Sequence, residues 1–369
     1  MRSKRLIGAW VAAAFAVLGI VGAATAASPN ETTVVYDDFQ AAGGYTLSNY
    51  AAKWSNPYGL GDMGTTCPDG FTPAKGDTRS FAGGTFYIDD APFTCSLDFS
   101  VFDHLKYIAV SNQTFAVPQK GSLTFASDIA ARTPGTQIGR VVHGTYGPPG
   151  SYPNGPPYAS TVFEGQQAGA VMNMINFETG QLFDWFISGN RAFTLIERLP
   201  SSVTGNTTDP SSPSWVGPDQ MYTQIIDEFA ITPGVTHHVA ITYTRGTGNG
   251  NSTVEYFLDG SRVSKVKNVG VPLDRQPGQK YTGIDPSFGP GEDLRSELNS
   301  FTIGHGTFSL LDAFPFQWGW TPPWLGPPTC DPLWPDICAL SVSIPISERL
   351  FGQGARAHFD NFTVTTESH

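Results

Sequence analysis

Residues 171–200 read VMNMINFETGQLFDWFISGNRAFTLIERLP and set two acids, Asp184 and Glu197, among aromatic and aliphatic side chains. Paired carboxylates do acid–base work when their surroundings push their pKa values apart. The stretch reads as three strands joined by Thr179-Gly180 and Gly189-Asn190, dipeptides suited to two-residue hairpin turns. With residue 178 facing 181 and 188 facing 191, one face is apolar and carries Met172, Met174, Phe183, Trp185 and Ile196. The other threads Asn173, Asp184, Arg191 and Glu197 through Phe186, Phe193 and Leu195. A dry core would have to desolvate each of those charges, at several kcal/mol if unpaired. The mixed face is therefore expected to line a solvated concave cleft, the alternative being a buried polar network.

In that register Asp184 and Glu197 are diagonal neighbours on adjacent strands, about 7–8 Å apart at the backbone, with Asn173 continuing the diagonal. Such a spacing spans both the roughly 5 Å of a retaining glycosidase pair and the roughly 6.5–9.5 Å of an inverting one. As a hydrolase, Glu197 would be the acid/base and Asp184 the nucleophile or water activator. As a lyase, His143 or a tyrosine would be the base, with Asn173 and Arg191 neutralising a uronate carboxylate. The plain structural reading is a hydrogen-bonded set on a ligand-binding sheet.

A second constellation is QWGWTPPWLGPPTCDPLWPDIC at 317–338, which holds Trp318, Trp320, Trp324 and Trp334. Tryptophan faces held by prolines stack on the apolar faces of sugar rings, and the same residues suit a satellite hydrophobic cluster or an apolar pocket. Tyr152 and Tyr158 in GPPGSYPNGPPY (147–158) would form an opposing lip. Other catalytic templates are missing: there is no G-x-S-x-G, H-E-x-x-H, phosphate loop or dinucleotide fingerprint. Asp37, Asp38 and Asp360 supply oxygen ligands of the kind a structural Ca²⁺ takes. No other cofactor is expected.

The elements that must position these residues are short alternating segments between turn residues: 33–39, 85–90, 122–132, 137–146, the three strands above, 236–245, 253–260, 262–269, 300–306 and 355–366. No helical period persists beyond two turns. With 41 Gly, 29 Pro and only 14% charged residues, this is the pattern of an all-β sandwich. The stretches 147–158, 200–220 and 321–336 read as long surface loops, so residues 27–369 are expected to form one domain.

Residues 1–26 have the basic n-region, apolar stretch and Ala24-Thr25-Ala26 ending of a signal peptide, which implies a secreted chain. Losing Arg2, Lys4 and Arg5 makes the chain more acidic than its formal −11. With no Lys/Arg cluster, nucleic acid and anionic membranes are excluded as partners, and a monomer is expected. Four cysteines in a secreted chain imply two disulfides, and short loops favour Cys67–Cys95 and Cys330–Cys338. N-x-S/T sequons stand at Asn30, Asn112, Asn206, Asn251 and Asn361.

The run THHVAITYTR followed by VEYFLDGSRV (236–263) resembles the H-x-V-A-x-T-Y … V-x-x-Y-x-D-G pattern of concanavalin A-like jelly rolls, the laminin G group in particular. VVYDDFQ and FDNFTVTT resemble the terminal strands that pair in that group. The resemblance implies a jelly-roll sandwich of two antiparallel sheets and an extracellular, glycan-directed role, since the group includes glucanases, polysaccharide lyases, lectins and adhesive modules. It does not extend to the E-x-D-x-x-E glucanase signature: the nearest acids, Asp227-Glu228, are adjacent and point to opposite faces of a strand. Three functions follow from the sequence. One is a glycan-binding and glycan-cleaving protein, another a cofactor-free isomerase or cyclase on a hydrophobic metabolite, and the third a non-catalytic adhesion module.

Overall fold

The computed structural model describes residues 30–55, 78–91, 105–136, 141–143, 145–146, 161–163, 168–198, 222–246, 252–269, 298–308, 342–343 and 354–368. The 1–26 segment, all four cysteines with both expected disulfides, Tyr152, Tyr158 and the four tryptophans of 317–338 lie outside the described residues. His143 is described only as a strand residue.

In chain order the elements are β1 (Glu31–Asp37), α1 (Leu47–Lys53), β2 (Trp54–Ser55), β3 (Thr78–Ala82), β4 (Thr85–Asp90), β5 (Leu105–Ser111), β6 (Phe115–Ala116), β7 (Gly121–Arg132), β8 (Val141–His143), β9 (Thr145–Tyr146) and β10 (Thr161–Phe163). They continue with β11 (Gly169–Ile175), β12 (Gln181–Ile187), β13 (Arg191–Arg198), β14 (Tyr222–Ala230), β15 (His237–Thr244), β16 (Ser252–Leu258), β17 (Ser261–Val269), β18 (Ser300–Phe308), β19 (Val342–Ser343) and β20 (Ala355–Ser368).

Among the described residues sixteen of these strands build two eight-stranded antiparallel sheets, and β8 with β10 and β9 with β19 form two-stranded pairs. The first runs β17-β16-β15-β7-β20-β4-β3 with β1 also on β20, and the second β14-β13-β12-β11-β18-β5-β2 with β6 also on β18. The fold is the all-β sandwich of two antiparallel sheets that the strand pattern implied. The resembling motif forms the hairpin β15–β16, with Val239 opposite Leu258 and Tyr243 opposite Val254. Asp259 (φ 49°) and Gly260 (φ 79°) make the tight turn into β17. The chain's ends pair, Val34 with Val364 and Val35 with Thr363.

The core lies between the sheets, and period-two alternation fills it from both sides. Val239, Ile241 and Tyr243 of β15 meet Phe183, Trp185 and Ile187 of β12, all fully buried. Trp185 also donates its indole N–H to the Ala240 carbonyl across the gap, at 3.0 Å. Each such side chain removed from water contributes about 1.5–3 kcal/mol, which locks β12 in place and fixes which residues face outward.

Asp37 is a second anchor. Its carboxylate is fully buried and accepts from Lys53 Nζ (2.9 Å), Trp54 Nε1 (2.7 Å), Tyr45 Oη (2.5 Å) and the Phe39 amide (3.1 Å). Four donors occupy the lone pairs that a calcium ion would need. Asp38 and Asp360 are turned to the amides of Gln40 and Asn361 instead. Among the described residues no group of three His, Cys, Asp or Glu side chains is placed to hold a metal ion.

Candidate acid pair on the outward face of the meander

The meander β11–β12–β13 forms as its sequence predicted, with one register correction. Gly189-Asn190 makes the expected tight connection, closed by the Ser188 amide donating to the Arg191 carbonyl at 2.8 Å. Thr179-Gly180 does not. Asn176 opens a wider turn there: its Oδ1 accepts from the Thr179 amide and hydroxyl, both at 2.8 Å, and its carbonyl accepts from Gly180. This side-chain mimic of a turn moves the pairing by two residues, so Met172, and not Met174, faces Trp185. A shift of two leaves every side chain on its predicted face. It also brings Asn173 directly opposite Asp184, where the sequence had placed it diagonally.

The outward face is thereby defined. One cross-strand row reads Val110, Gly304, Asn173, Asp184, Leu195, and the next reads Thr302, Ile175, Leu182, Glu197. Asp184 and Glu197 sit diagonally across β12 and β13, as expected. Phe186 and Phe193 follow one row on, with ring centroids 5.9 Å apart in an edge-to-face pair.

This face turns away from the first sheet and is still closed to solvent. Asp184 is 1% exposed, Glu197 3% and Asn173 0%, and Phe186 and Phe193 are fully buried. The solvated cleft gives way to the other expectation, a buried polar network. Asn173 Nδ2 donates to Asp184 Oδ1 at 2.7 Å. Burial first, and then the neighbouring Glu197 charge and the hydrogen bond the two carboxyls share, raise the Asp184 carboxyl well above its ordinary range; only Asn173 opposes them. Burial and the neighbouring like charge both favour the protonated form of Asp184, the direction expected of two acids that share a buried site. Asp184 Oδ2 is buried and meets no donor.

Tyr256 is the site residue the sequence did not reveal. It belongs to β16 of the other sheet, and its hydroxyl donates to the carbonyl of Leu195, the cross-strand partner of Asp184. Burial, followed by the charges of Asp184 and Glu197, raises its pKa well above 10. Nothing in the local sequence distinguishes Tyr256 from Val254, its neighbour on the same buried face.

Arg191 stands apart from the pair. It lies at the far end of the face, four residues along the ladder and about 13 Å from the Asp184 row at 3.3 Å per residue, and forms a salt bridge with Glu228. Glu228 faces outward with it, while Asp227 on the opposite face accepts from Ser264 of the other sheet at 2.7 Å, so the two acids diverge as predicted. His237 and His238 likewise separate, one to Asp259 at 2.8 Å and the other to Asp128 at 2.7 Å.

A family model, described as a family of unknown function, matches residues 36–368. No curated protein matches the sequence. Among solved structures, an endo-1,3-β-glucanase from Streptomyces sioyaensis shares 12% identity at a TM-score of 0.41, covering 94% of this chain and 100% of its own. β-Agarase B from Zobellia galactanivorans shares 11% at 0.40, covering 93% and 96%. An alginate lyase in complex with an alginate trisaccharide shares 9% at 0.30, covering 93% and 100%. At such identities the substrates in those names belong to those proteins.

Proposed function

The chain belongs to DUF6081, a family of unknown function, and we propose that it is a glycan-directed enzyme whose acid–base pair is Asp184 and Glu197. The observation that carries this reading is the geometry of the pair: two buried carboxyls set diagonally on adjacent strands of the outward face, Asp184 raised by burial and by Glu197, with Asn173 donating to it. One protonated and one ionised carboxyl together form the acid and base that cleave a glycosidic bond. The resemblance at 236–263 to jelly rolls that bind and cleave polysaccharides supplies the substrate class by analogy.

In this reading Asp184 carries the shared proton and gives it to the leaving glycosidic oxygen as the C–O bond breaks. Glu197 takes a proton from the water that attacks the anomeric carbon, and the pair is regenerated. These roles reverse those that the sequence suggested, a reading supported by the burial and the Glu197 charge that raise the Asp184 carboxyl.

The closure of the face favours a second reading, proton transfer on a small hydrophobic metabolite. Leu182, Leu195, Phe186 and Phe193 surround the pair, and none is more than 3% exposed. Incubation with β-1,3-glucan, agarose and alginate, followed by assay for new reducing ends, separates the two. Cleavage of any one polymer is expected, with a loss of at least 100-fold in both Asp184→Asn and Glu197→Gln. Wild-type activity persisting in both variants would remove the pair from the mechanism, and no cleavage of any polymer would favour the small-molecule reading.

A further inference from the structure

Asn173 has a free end. Its Nδ2 donates to Asp184 Oδ1 at 2.7 Å, which commits the amide nitrogen and leaves the amide oxygen over. Asn173 Oδ1 is fully buried and meets no donor. An amide acceptor left unsatisfied in an apolar surrounding costs about 1–3 kcal/mol, so a native chain retains one where something else supplies the donor. Ser188, just past the end of β12, also has a buried hydroxyl without a partner.

Gly304 lies on β18 directly opposite Asn173. A Cβ there would stand 3.2 Å from Asn173 Oδ1 and 3.2 Å from Ile175 Cδ1, tighter than ordinary packing. Gly304 thus leaves the amide oxygen its place, and Gly306 keeps a second outward position on β18 without a side chain. The three features that meet here are the buried acid pair, an unpartnered acceptor and two outward positions of β18, Gly304 and Gly306, that carry no side chain.

Charge restricts what fits beside them. The pair already carries one negative charge out of water, and the nearest described cation on this face, Arg191, is held by Glu228 about four residues away along the strand. A ligand carboxylate would add a second buried charge with no counter-ion among the described residues, at a cost of several kcal/mol.

Resting on the acid–base reading above, we propose that Asn173 Oδ1 is the specificity-determining acceptor for a hydroxyl of an uncharged sugar, and that the site rejects uronates. This departs from the lyase expectation, in which Asn173 and Arg191 together neutralise a uronate carboxylate.

The test is ligand-detected NMR titration of the full chain with methyl β-glucoside and methyl β-glucuronide. The neutral glycoside is expected to bind at least 10-fold more tightly than the glucuronide, and Asn173→Ala to lose about 10- to 100-fold of that affinity. Gly304→Ala, which crowds the same oxygen without removing it, is expected to lose several-fold with its circular dichroism and melting temperature retained, so a failure of Asn173→Ala to fold leaves a second readout. Equal or tighter glucuronide binding, no binding of the neutral glycoside, or undiminished binding in the folded variants would each overturn the inference. Saturable neutral binding that needs Asn173, with no polymer cleaved, would sink the catalytic reading and leave this one standing.

Discussion

Asp184→Asn tests the shared proton without any knowledge of the substrate. Burial and the Glu197 charge raise the folded Asp184 carboxyl well above its ordinary 3.8, so the folded chain is expected to hold a proton there that the unfolded chain releases. The sign follows from that difference. The stability this proton supplies is complete below the unfolded value and is lost as pH climbs through the raised folded one, at about 1.4 kcal/mol per pH unit. Asparagine carries no charge at any pH in that window. It can accept from Asn173 through Oδ1 and donate to Glu197 through Nδ2, so the packing and both contacts persist. Relative to wild type, the variant is expected to coincide near pH 4 and to gain about 1.4 kcal/mol with each further unit towards the folded value. Urea unfolding followed by the fluorescence of buried Trp185, at pH 4, 5, 6 and 7, reads this as a widening gap between midpoints. Parallel curves with a constant gap would show that the folded chain binds no extra proton at this site, and the acid–base assignment would fall with it.

Asp37→Ala is expected to destabilise the chain by about 3–5 kcal/mol, because Lys53, Trp54, Tyr45 and the Phe39 amide all lose their acceptor in a buried place; a urea midpoint within error of wild type would refute the anchor. His305 is fully buried, accepts or donates at Nε2 with Tyr50 Oη at 2.7 Å, and is pulled down to about 3 by burial. Its neutral form supports the fold above 6.5, and that support is lost as pH falls towards 3 at about 1.4 kcal/mol per unit. His305→Phe is expected to abolish this acid limb at a cost of about 1 kcal/mol at pH 7 for the lost hydrogen bond, which acid titration of the unfolding midpoint checks.

The parts of the fold that were legible in the sequence are those where alternation runs unbroken. THHVAITYTR and VEYFLDGSRV announce β15 and β16 because Val239, Ile241 and Tyr243 all face inward and Asp259-Gly260 can adopt positive φ. β14 was not legible because its period breaks: Thr194 pairs with Asp227 and Leu195 with Ile225, a bulge that skips Ile226. α1 is two turns long, too short for periodicity to declare it, and rests on the Thr46–Asn49 capping box. In the site, the faces of the meander survived a wrong turn type because the slip was even. What alternation could not say was whether the mixed face met water, since closure depends on distant chain and not on the pattern within a strand. Tyr256 was hidden for the same reason, as its relation to Asp184 runs between sheets.

Asp184 and His305 bear on pH in opposite senses, which shapes the behaviour of the whole chain. Between 3.8 and 6.5 the raised carboxyl takes stability away as pH rises, and the depressed imidazole returns it at the same rate of about 1.4 kcal/mol per unit. The two slopes oppose each other, so in wild type these groups offset wherever both titrate. Exposed pairs such as His237–Asp259 contribute equally to wild type and variants and drop out of difference curves. β18 separates the two groups, His305 facing the core and Gly304 facing Asn173 on the other side, so their effects should add. Asp184→Asn then uncovers a stability that rises from pH 4 to 6.5, His305→Phe one that falls over the same range, and the double variant a flat line. A wild-type profile that is already steep, with single variants that do not diverge from it in opposite directions, would mean that one of the two buried groups is not in the protonation state its surroundings dictate.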